Sequence, residues 1–379
     1  MASISIIVPI FNGLRYFPHF LKSLAEAAPR HSQIIFVDDS STEPVLDAVP
    51  DDFPFSSVTK LRNERNLGYS ATVNRGFAEA TGDIIIQLNT DLVLDQRCIE
   101  AMVDLIEHTV KPGIVGSKHL FPTTGLLRHI GMAFGKHSLR KVFVGLPADH
   151  PLCSKTRRLQ IMNGATVAMT RQCLEEIGLL DERYYNTLEN LDHCMKAHLC
   201  GYANYTCADS VVYHWSGQSG PARFAQTKEG DAIFWADWHS SRAIDLDSFI
   251  NEALDHILVS NPSLADYPFE PLSLCRSSDE SILLDCIEQR WKGSKAKIHY
   301  TQVFNSPHKM LWLPMELAYR AITNPSPYIY LVDRISHLSE NQLWFEKRHR
   351  TVENELVLDT GGAALTTREL VALNGETEA

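Results

Sequence analysis

The sequence predicts an α/β fold built on a mostly parallel central sheet, followed by a mainly helical C-terminal region. Three observations carry this. Short apolar runs alternate with stretches of helical apolar spacing from Ser3 onward, the β-α-β-α order of a doubly wound parallel sheet with right-handed crossovers. Ile84-Ile85-Ile86, inside Asp83–Asp95, is a continuous apolar run of the kind shown by a strand covered on both faces. Polar clusters follow the runs at Asn12-Gly13, Asp38-Asp39-Ser40 and Asn89-Thr90-Asp91, at the strand ends where ligands collect in open α/β sheets.

In chain order, Ser3–Val8 is the first strand, broken by Pro9-Ile10-Phe11-Asn12-Gly13, and a helix follows over Leu14–Ala27. Ile34–Val37 is the second strand. The cluster Asp38-Asp39-Ser40-Ser41-Thr42 after it is either a turn held by side chain to backbone bonds or a surface that presents Asp38 or Asp39 to a base or ribose. Val58–Arg62 is a third strand, Asn66-Leu67-Gly68-Tyr69 precedes a helix running to about Ala80, and Thr81-Gly82 feeds the central strand. A helix over Gln96–His108 leads to a strand at Gly113–Ser117 and a glycine-marked stretch through Leu146 with room for hairpins. Ile161–Thr170 has a strand pattern, in which Asn163-Gly164-Ala165 either brings backbone close to a ligand or forms a bulge. Arg171–Ile177 is a short helix. Glu189 opens a helix ending at Gly201, with Glu189 and Asp192 on one face; two acids there also suit the helix dipole. Val211–Trp215 is a late strand with His214 near its exit, a position more often held by a structural histidine than by a ligand.

A balance of 46 acidic and 35 basic residues, net charge −11, argues against a general nucleic-acid-binding surface. The eight cysteines contain no Cys-x-x-Cys pair and read as reduced, mostly buried thiols. The N-terminus lacks the basic and apolar segments of a secretory signal and no run is long enough to span a membrane, so the expected compartment is the cytoplasm. Asn204-Tyr205-Thr206 reads as a chance match to a glycosylation sequon. The first loop has one glycine, Gly13, where a nicotinamide dinucleotide site needs Gly-x-Gly-x-x-Gly. A carboxylate at the exit of the central strand, Asp91, suits a Mg2+ or Mn2+ ion shared with phosphate oxygens. The alternative is that Asp91 or Asp95 caps the next helix.

Taken in order, Ile7-Val8-Pro9-Ile10-Phe11-Asn12, Val37-Asp38-Asp39-Ser40-Ser41, Asn66-Leu67-Gly68 with Asn74, Thr81-Gly82-Asp83 through Leu88-Asn89-Thr90-Asp91, Leu180-Asp181-Glu182-Arg183-Tyr184, Glu189-Asn190-Leu191-Asp192 and His214 with Ser219 carry a resemblance. From about Ser3 to Trp238 the chain resembles a bacterial family 2 glycosyltransferase of the rhamnosyltransferase-like branch. That resemblance implies the GT-A nucleotide-sugar-binding fold. It also implies a metal-dependent, inverting enzyme that moves a sugar from a nucleoside-diphosphate sugar to a glycan, lipid-linked or other hydroxyl acceptor in polysaccharide or glycoconjugate synthesis. Pro9, Phe11 and Asp38 or Asp39 would then lie against the nucleoside, and Asn66, Gly68 and Asn74 would border its pocket. Asn89, Thr90, Asn163 and Gly164 join them as substrate-binding positions, and Asp91 with His214 would ligate Mn2+ or Mg2+.

Two positions depart from the family pattern. Asn89 replaces the first aspartate of the Asp-x-Asp-like motif, and Asn190 replaces the aspartate of Glu-Asp-x-Asp. An amide cannot take a proton from an acceptor hydroxyl, which leaves Glu189, nearer the loop, and Asp192 as candidate catalytic bases. The two asparagines also open a second reading, a non-catalytic relative that binds nucleotide sugar or glycan. A nucleotidyltransferase would show a glycine-rich N-terminal loop followed by a basic pair, and neither is present.

Beyond about Ser240 the resemblance stops. Phe249–Val259, Ser281–Trp291 and Met310–Ile322 have helical spacing between proline-containing stretches. The expected division is residues 1–240, then a mainly helical region at 241–350 and a flexible tail at 351–379. Acceptor recognition, homo-oligomerisation, and docking to a partner or to the inner face of a membrane are the roles open to the middle region.

Overall fold

The computed structural model describes residues 2–215, 226–273, 275, 277–291, 327–336 and 355–375. The chain forms two compact units, Met1–Met132 with Cys153–Arg242, and Ala133–Leu152 with Ala243–Ala379.

The first unit runs β1 (Ile4–Ile10), α1 (Phe17–Ala27), β2 (Gln33–Asp38), β3 (Ser57–Arg62), α2 (Tyr69–Glu79), β4 (Ile84–Leu88), β5 (Leu92–Leu94), α3 (Cys98–Glu107), β6 (Pro112–Leu120) and β7 (Leu127–His129). After β8 (Met132–Phe134) and β9 (Leu139–Lys141), which pair with each other, it continues through β10 (Arg157–Leu159), β11 (Thr166–Thr170), α4 (Arg171–Ile177), α5 (Glu189–Leu199), β12 (Ala203–His214) and α6 (Thr227–Trp238). Its sheet has the order β10-β12-β6-β11-β4-β1-β2-β3, with β5 on β12 and β7 on β6. Strands β1 to β4 are mutually parallel, β11 is antiparallel to β4 and β6, and β12 runs parallel to β6. The α/β expectation with a mainly parallel sheet is met.

The apolar runs dictate this arrangement. All seven residues of β1 and all five of β4 are buried, as strands enclosed between neighbours and covered on both faces must be. Helix α1 has proline in its first turn and turns Phe17, Phe20, Leu21 and Leu24 inward, where Phe17 meets Phe36 of β2 edge-on at 6.0 Å. Two expected strand boundaries move. Residues 161–165 are not strand, because the Asn163 side-chain oxygen accepts the Ala165 N–H at 3.0 Å and bends the chain before β11 begins at Thr166. Strand β12 begins at Ala203 rather than Val211, its early part hidden in the sequence by Asn204, Thr206, Asp209 and Ser210. Asn204 is 1% exposed, accepts the Ile114 N–H and donates to the Gln160 and Cys194 carbonyls. Its side chain is sheet framework, in keeping with the sequon being a chance match.

The second unit differs more from expectation. Its described elements are α7 (Leu246–Ser260), β13 (Glu270–Ser273), α8 (Glu280–Arg290), β14 (Tyr328–Val332), β15 (Leu356–Asp359), β16 (Ala364–Thr366) and α9 (Thr367–Gly375). Strands β13, β14 and β15 are parallel and β16 closes antiparallel, so among the described residues a four-stranded sheet accompanies the expected helices. The expected flexible tail contributes two of those strands and a helix, and Leu356, Val357 and Leu358 are buried. Four-residue apolar runs carry too little periodicity to announce a strand. Residues 133–152, expected with the first unit, group with the second. The helix expected at Met310–Ile322 lies outside the described residues. Among the described residues no helix is long and apolar enough to cross a membrane, and the cysteines are free thiols.

His193 of α5 gives the first unit a pH signature. It is 1% exposed with Nε2 2.8 Å from the Gly178 carbonyl, and burial lowers its pKa from 6.5 to about 4. Between those values the unfolded chain takes up a proton that the folded one refuses, so stability falls as pH falls from 6.5 toward 4. The expected slope from this group is about 1.4 kcal/mol per pH unit. Urea unfolding at pH 7, 5.5 and 4.5 should show a shallower acid loss in His193→Gln than in the natural chain.

Candidate functional site

Strand β1 has β2 on one side and β4 on the other, so the sheet reverses its order between β1 and β4, the switch point beyond whose carboxyl ends open α/β sheets place a ligand crevice. The loops around it are tied by side chains. Asn12, in the left-handed region at φ 54°, accepts the Thr42 N–H at 2.9 Å and donates its own N–H to the Ser41 hydroxyl at 2.8 Å. Asp38 accepts the Ser41 N–H at 2.9 Å and pairs with Arg62. Asp39 accepts from Asn63 Nδ2 at 2.8 Å and from the N–H groups of Leu67 at 2.8 Å and Gly68 at 2.9 Å. At 0% and 4% exposure the two acids tie these loops together. Pro9 is buried within β1 opposite Val37, and Phe11 is half-buried after it.

Asn66 accepts the Gly68 N–H at 3.2 Å and the Tyr185 hydroxyl. Gly68 has φ +89°, and a Cβ there would stand 2.6 Å from the Tyr185 ring, so the position demands glycine. Asn74 is 7% exposed and exchanges two hydrogen bonds with the Leu180 backbone while also donating to Glu182. It anchors the 180–182 segment to α2.

At the centre a chain of hydrogen bonds links α2, β4 and α5. The Tyr69 hydroxyl donates to Asn89 Oδ1 at 2.7 Å. Gln87 Nε2 lies 2.7 Å from that hydroxyl, 2.9 Å from the Gly164 carbonyl and 3.1 Å from Asn190 Oδ1, and Asn190 Nδ2 donates to Glu189 Oε1 at 2.9 Å. A Cβ on Gly164 would fall 1.9 Å from Asn190 Cγ, so the glycine makes room for the asparagine. Sequence reasoning missed Tyr69 and Gln87; the available signal was a glutamine inside the apolar run Ile84–Leu88. Asp192 is 1% exposed, accepts from Trp238 Nε1 at 3.0 Å and pairs with Lys196 at 2.8 Å. Burial raises its pKa, while Lys196 and Trp238 pull it down. With these two partners Asp192 locks α5 to α6, and Glu189 is the carboxylate joined to the central strand.

Strand pairing also assembles the expected metal-ligating pair. Leu92 of β5 stands opposite His214 of β12, and the Trp215 N–H donates to the Asp91 carbonyl at 3.1 Å. His214 Nε2 therefore lies 3.4 Å from Asp91 Oδ1. Adjacent octahedral ligands about 2.1 Å from a cation stand roughly 3.0 Å apart, so the pair fits one ion with a small adjustment. Among the described residues no group of three or more His, Cys, Asp or Glu side chains converges for a metal, so further ligand atoms would come from the bound substrate. Thr90 is half-buried between Asn89 and Asp91, and Tyr16 packs beside Trp215 with ring centroids 5.5 Å apart. Ser219 lies outside the described residues.

Residues 5–158 match the family model described as Glycosyl transferase family 2. The chain is 25% identical over 252 residues to an O-antigen biosynthesis protein, RfbC, of Myxococcus xanthus, covering 63% of this chain and 19% of that protein. It is 25% identical over 253 residues to an N-acetylglucosaminyl-diphospho-decaprenol L-rhamnosyltransferase of Mycobacterium tuberculosis, covering 59% of this chain and 81% of the relative. Among solved structures, GalNAc-T7 with UDP, GalNAc and Mn2+ aligns at a TM-score of 0.47 and 19% identity, over 56% of this chain and 44% of that one.

The crowding at Gly164 is directly measurable. Gly164→Ala should displace Asn190 and destabilise the protein by about 1–3 kcal/mol in urea unfolding, the usual range for an overpacked interior. A change within about 0.5 kcal/mol, the scale of a surface substitution, would mean that the two residues are not in contact.

Proposed function

We propose, from the match of residues 5–158 to the model of glycosyl transferase family 2, that the chain transfers a sugar, with inversion, from a nucleoside-diphosphate sugar to a hydroxyl group. The acceptor would be a glycan or a lipid-linked sugar in bacterial polysaccharide or glycoconjugate synthesis. The observation that carries this reading is the approach of Asp91 and His214 to 3.4 Å at the strand exits, on the same crevice as the hydrogen-bonded chain that ends on Glu189. The lipid-linked choice rests on the name of the mycobacterial relative. Such an acceptor would bring the protein to the inner face of the membrane as a peripheral component.

Asp91 and His214 would hold Mn2+ or Mg2+, which when bound supplies positive charge to the departing diphosphate. Glu189 takes the proton from the acceptor hydroxyl; the acceptor oxygen bonds to the anomeric carbon as the bond from that carbon to the diphosphate oxygen breaks, and the nucleoside diphosphate leaves with those electrons. Asn190 aims Glu189 through its donated hydrogen bond, and its carbonyl is held by Gln87. Tyr69 fixes the Asn89 amide, leaving the Asn89 N–H2 to meet substrate hydroxyls. Under this reading Asn190 is a working part of the base, and the non-catalytic alternative loses its main support.

Glu189→Gln should lower turnover by roughly 100-fold or more with little change in nucleotide affinity, as expected on removal of a general base. Asp192→Asn should act mainly on stability by loosening Lys196 and Trp238. Asn190→Asp tests the alternative: it sets a second carboxylate against Glu189 and should lower turnover, whereas transfer that appears only in this variant would establish a non-catalytic natural protein.

A further inference from the structure

We propose that His119 is a positioning residue that sets the tautomer of His214, so that His214 Nε2 offers its lone pair toward a divalent cation beside Asp91. The inference rests on the cation site proposed above. Strand β6 lies parallel to β12 with His119 opposite Val212, two residues before His214, and antiparallel to β7 with His119 opposite His129. Three imidazoles consequently meet below the site, at 0% exposure for His119, 1% for His129 and 4% for His214. His119 Nδ1 is 3.1 Å from His214 Nδ1, and the His119 and His129 rings stack with centroids 4.3 Å apart and planes 25° apart.

Two imidazole nitrogens at hydrogen-bond distance need one proton between them, and a neutral imidazole carries only one N–H. If His119 donates, the His214 proton sits on Nε2 and points at Asp91 Oδ1, which gives a polar contact and blocks ligation. If His214 donates from Nδ1, its Nε2 is bare and faces the carboxylate with which it would share the ion. The second arrangement requires an acceptor at the place of His119 Nδ1. The stacking of His129 on His119 holds that acceptor in plane.

The test compares two variants. Asparagine places its side-chain oxygen near the position of a histidine Nδ1, so His119→Asn retains the acceptor, while His119→Leu removes it. Mn2+ affinity is read by electron paramagnetic resonance in the presence of whichever of UDP, GDP or dTDP binds, and nucleotide affinity is read separately in chelator. His119→Leu should weaken Mn2+ binding by about 10–100-fold, the usual effect of losing a partner of a metal-bound histidine, with nucleotide affinity in chelator unchanged. His119→Asn should stay within about threefold of the natural chain, because it preserves the acceptor on which this effect depends. Equal losses in both variants would make His119 a packing residue, and no loss in either would remove it from the site; each overturns the inference. If His119→Leu does not fold, His119→Val, which also lacks the acceptor, takes its place and is read in the same way against His119→Asn. His214→Ala separates the two readings: unchanged Mn2+ affinity there removes the cation site itself and this inference with it, whereas a loss there with none in His119→Leu overturns only the role of His119.

Discussion

A glutamine amide buried in the middle of the central strand is the constraint from which the rest of the crevice follows. Gln87 is 1% exposed, in a strand enclosed by β1 and β11, and a polar group so placed must find hydrogen-bond partners within the protein. Its Nε2 reaches Tyr69 from α2, the Gly164 carbonyl from the loop before β11, and Asn190 from α5. One side chain thus ties three separate segments to the strand whose exit carries Asn89 and Asp91. Because Gln87 holds Asn190 and Asn190 holds Glu189, the candidate base is referenced to the same strand as the candidate metal ligand. Positioning of that kind is what the proposed displacement at an anomeric carbon would require.

Much of the first unit could be read from the chain because its strands are covered on both faces. Ile84-Ile85-Ile86 and Ile34–Val37 have no polar alternation to confuse, and the polar clusters that follow them fall at the strand ends. The pair Asp91 and His214 was legible only through the family resemblance; spacing alone gave His214 no preference over a structural histidine, and it is the β5 to β12 pairing that brings the two together. What remained hidden depends on long-range contact. Asp38, Asp39 and Asn74 read equally well as ligand contacts or as loop anchors, and their bonds to Arg62, Leu67, Gly68 and Leu180 became visible only in the fold. In the second unit the sheet went unread because Tyr328–Val332 and Leu356–Asp359 are too short to show a period, while α7 and α8 announce themselves plainly.

Asn190 shows how a departure from a family pattern changes meaning once its neighbours are known. Read alone, an amide in place of an acid suggests lost chemistry. Placed between Gln87 and Glu189, it uses its two ends differently, accepting from one partner and donating to the other, which a carboxylate cannot do. Gly164 completes the arrangement, since any side chain there would occupy the space of the amide. Asp192 has a different set of partners, its carboxylate fastening α5 to α6 through Lys196 and Trp238.

The central claim is that the crevice between β1 and β4 binds a nucleoside diphosphate through a cation held at Asp91. Calorimetric titration of the full chain with UDP, GDP and dTDP, each with Mn2+ and again with chelator, tests it most directly. The account predicts that at least one nucleotide binds in the presence of Mn2+, and that this binding falls by tenfold or more, about 1.4 kcal/mol, both in chelator and in Asp91→Ala. Nucleotide binding of equal strength with and without the metal, or undiminished in Asp91→Ala, would contradict it.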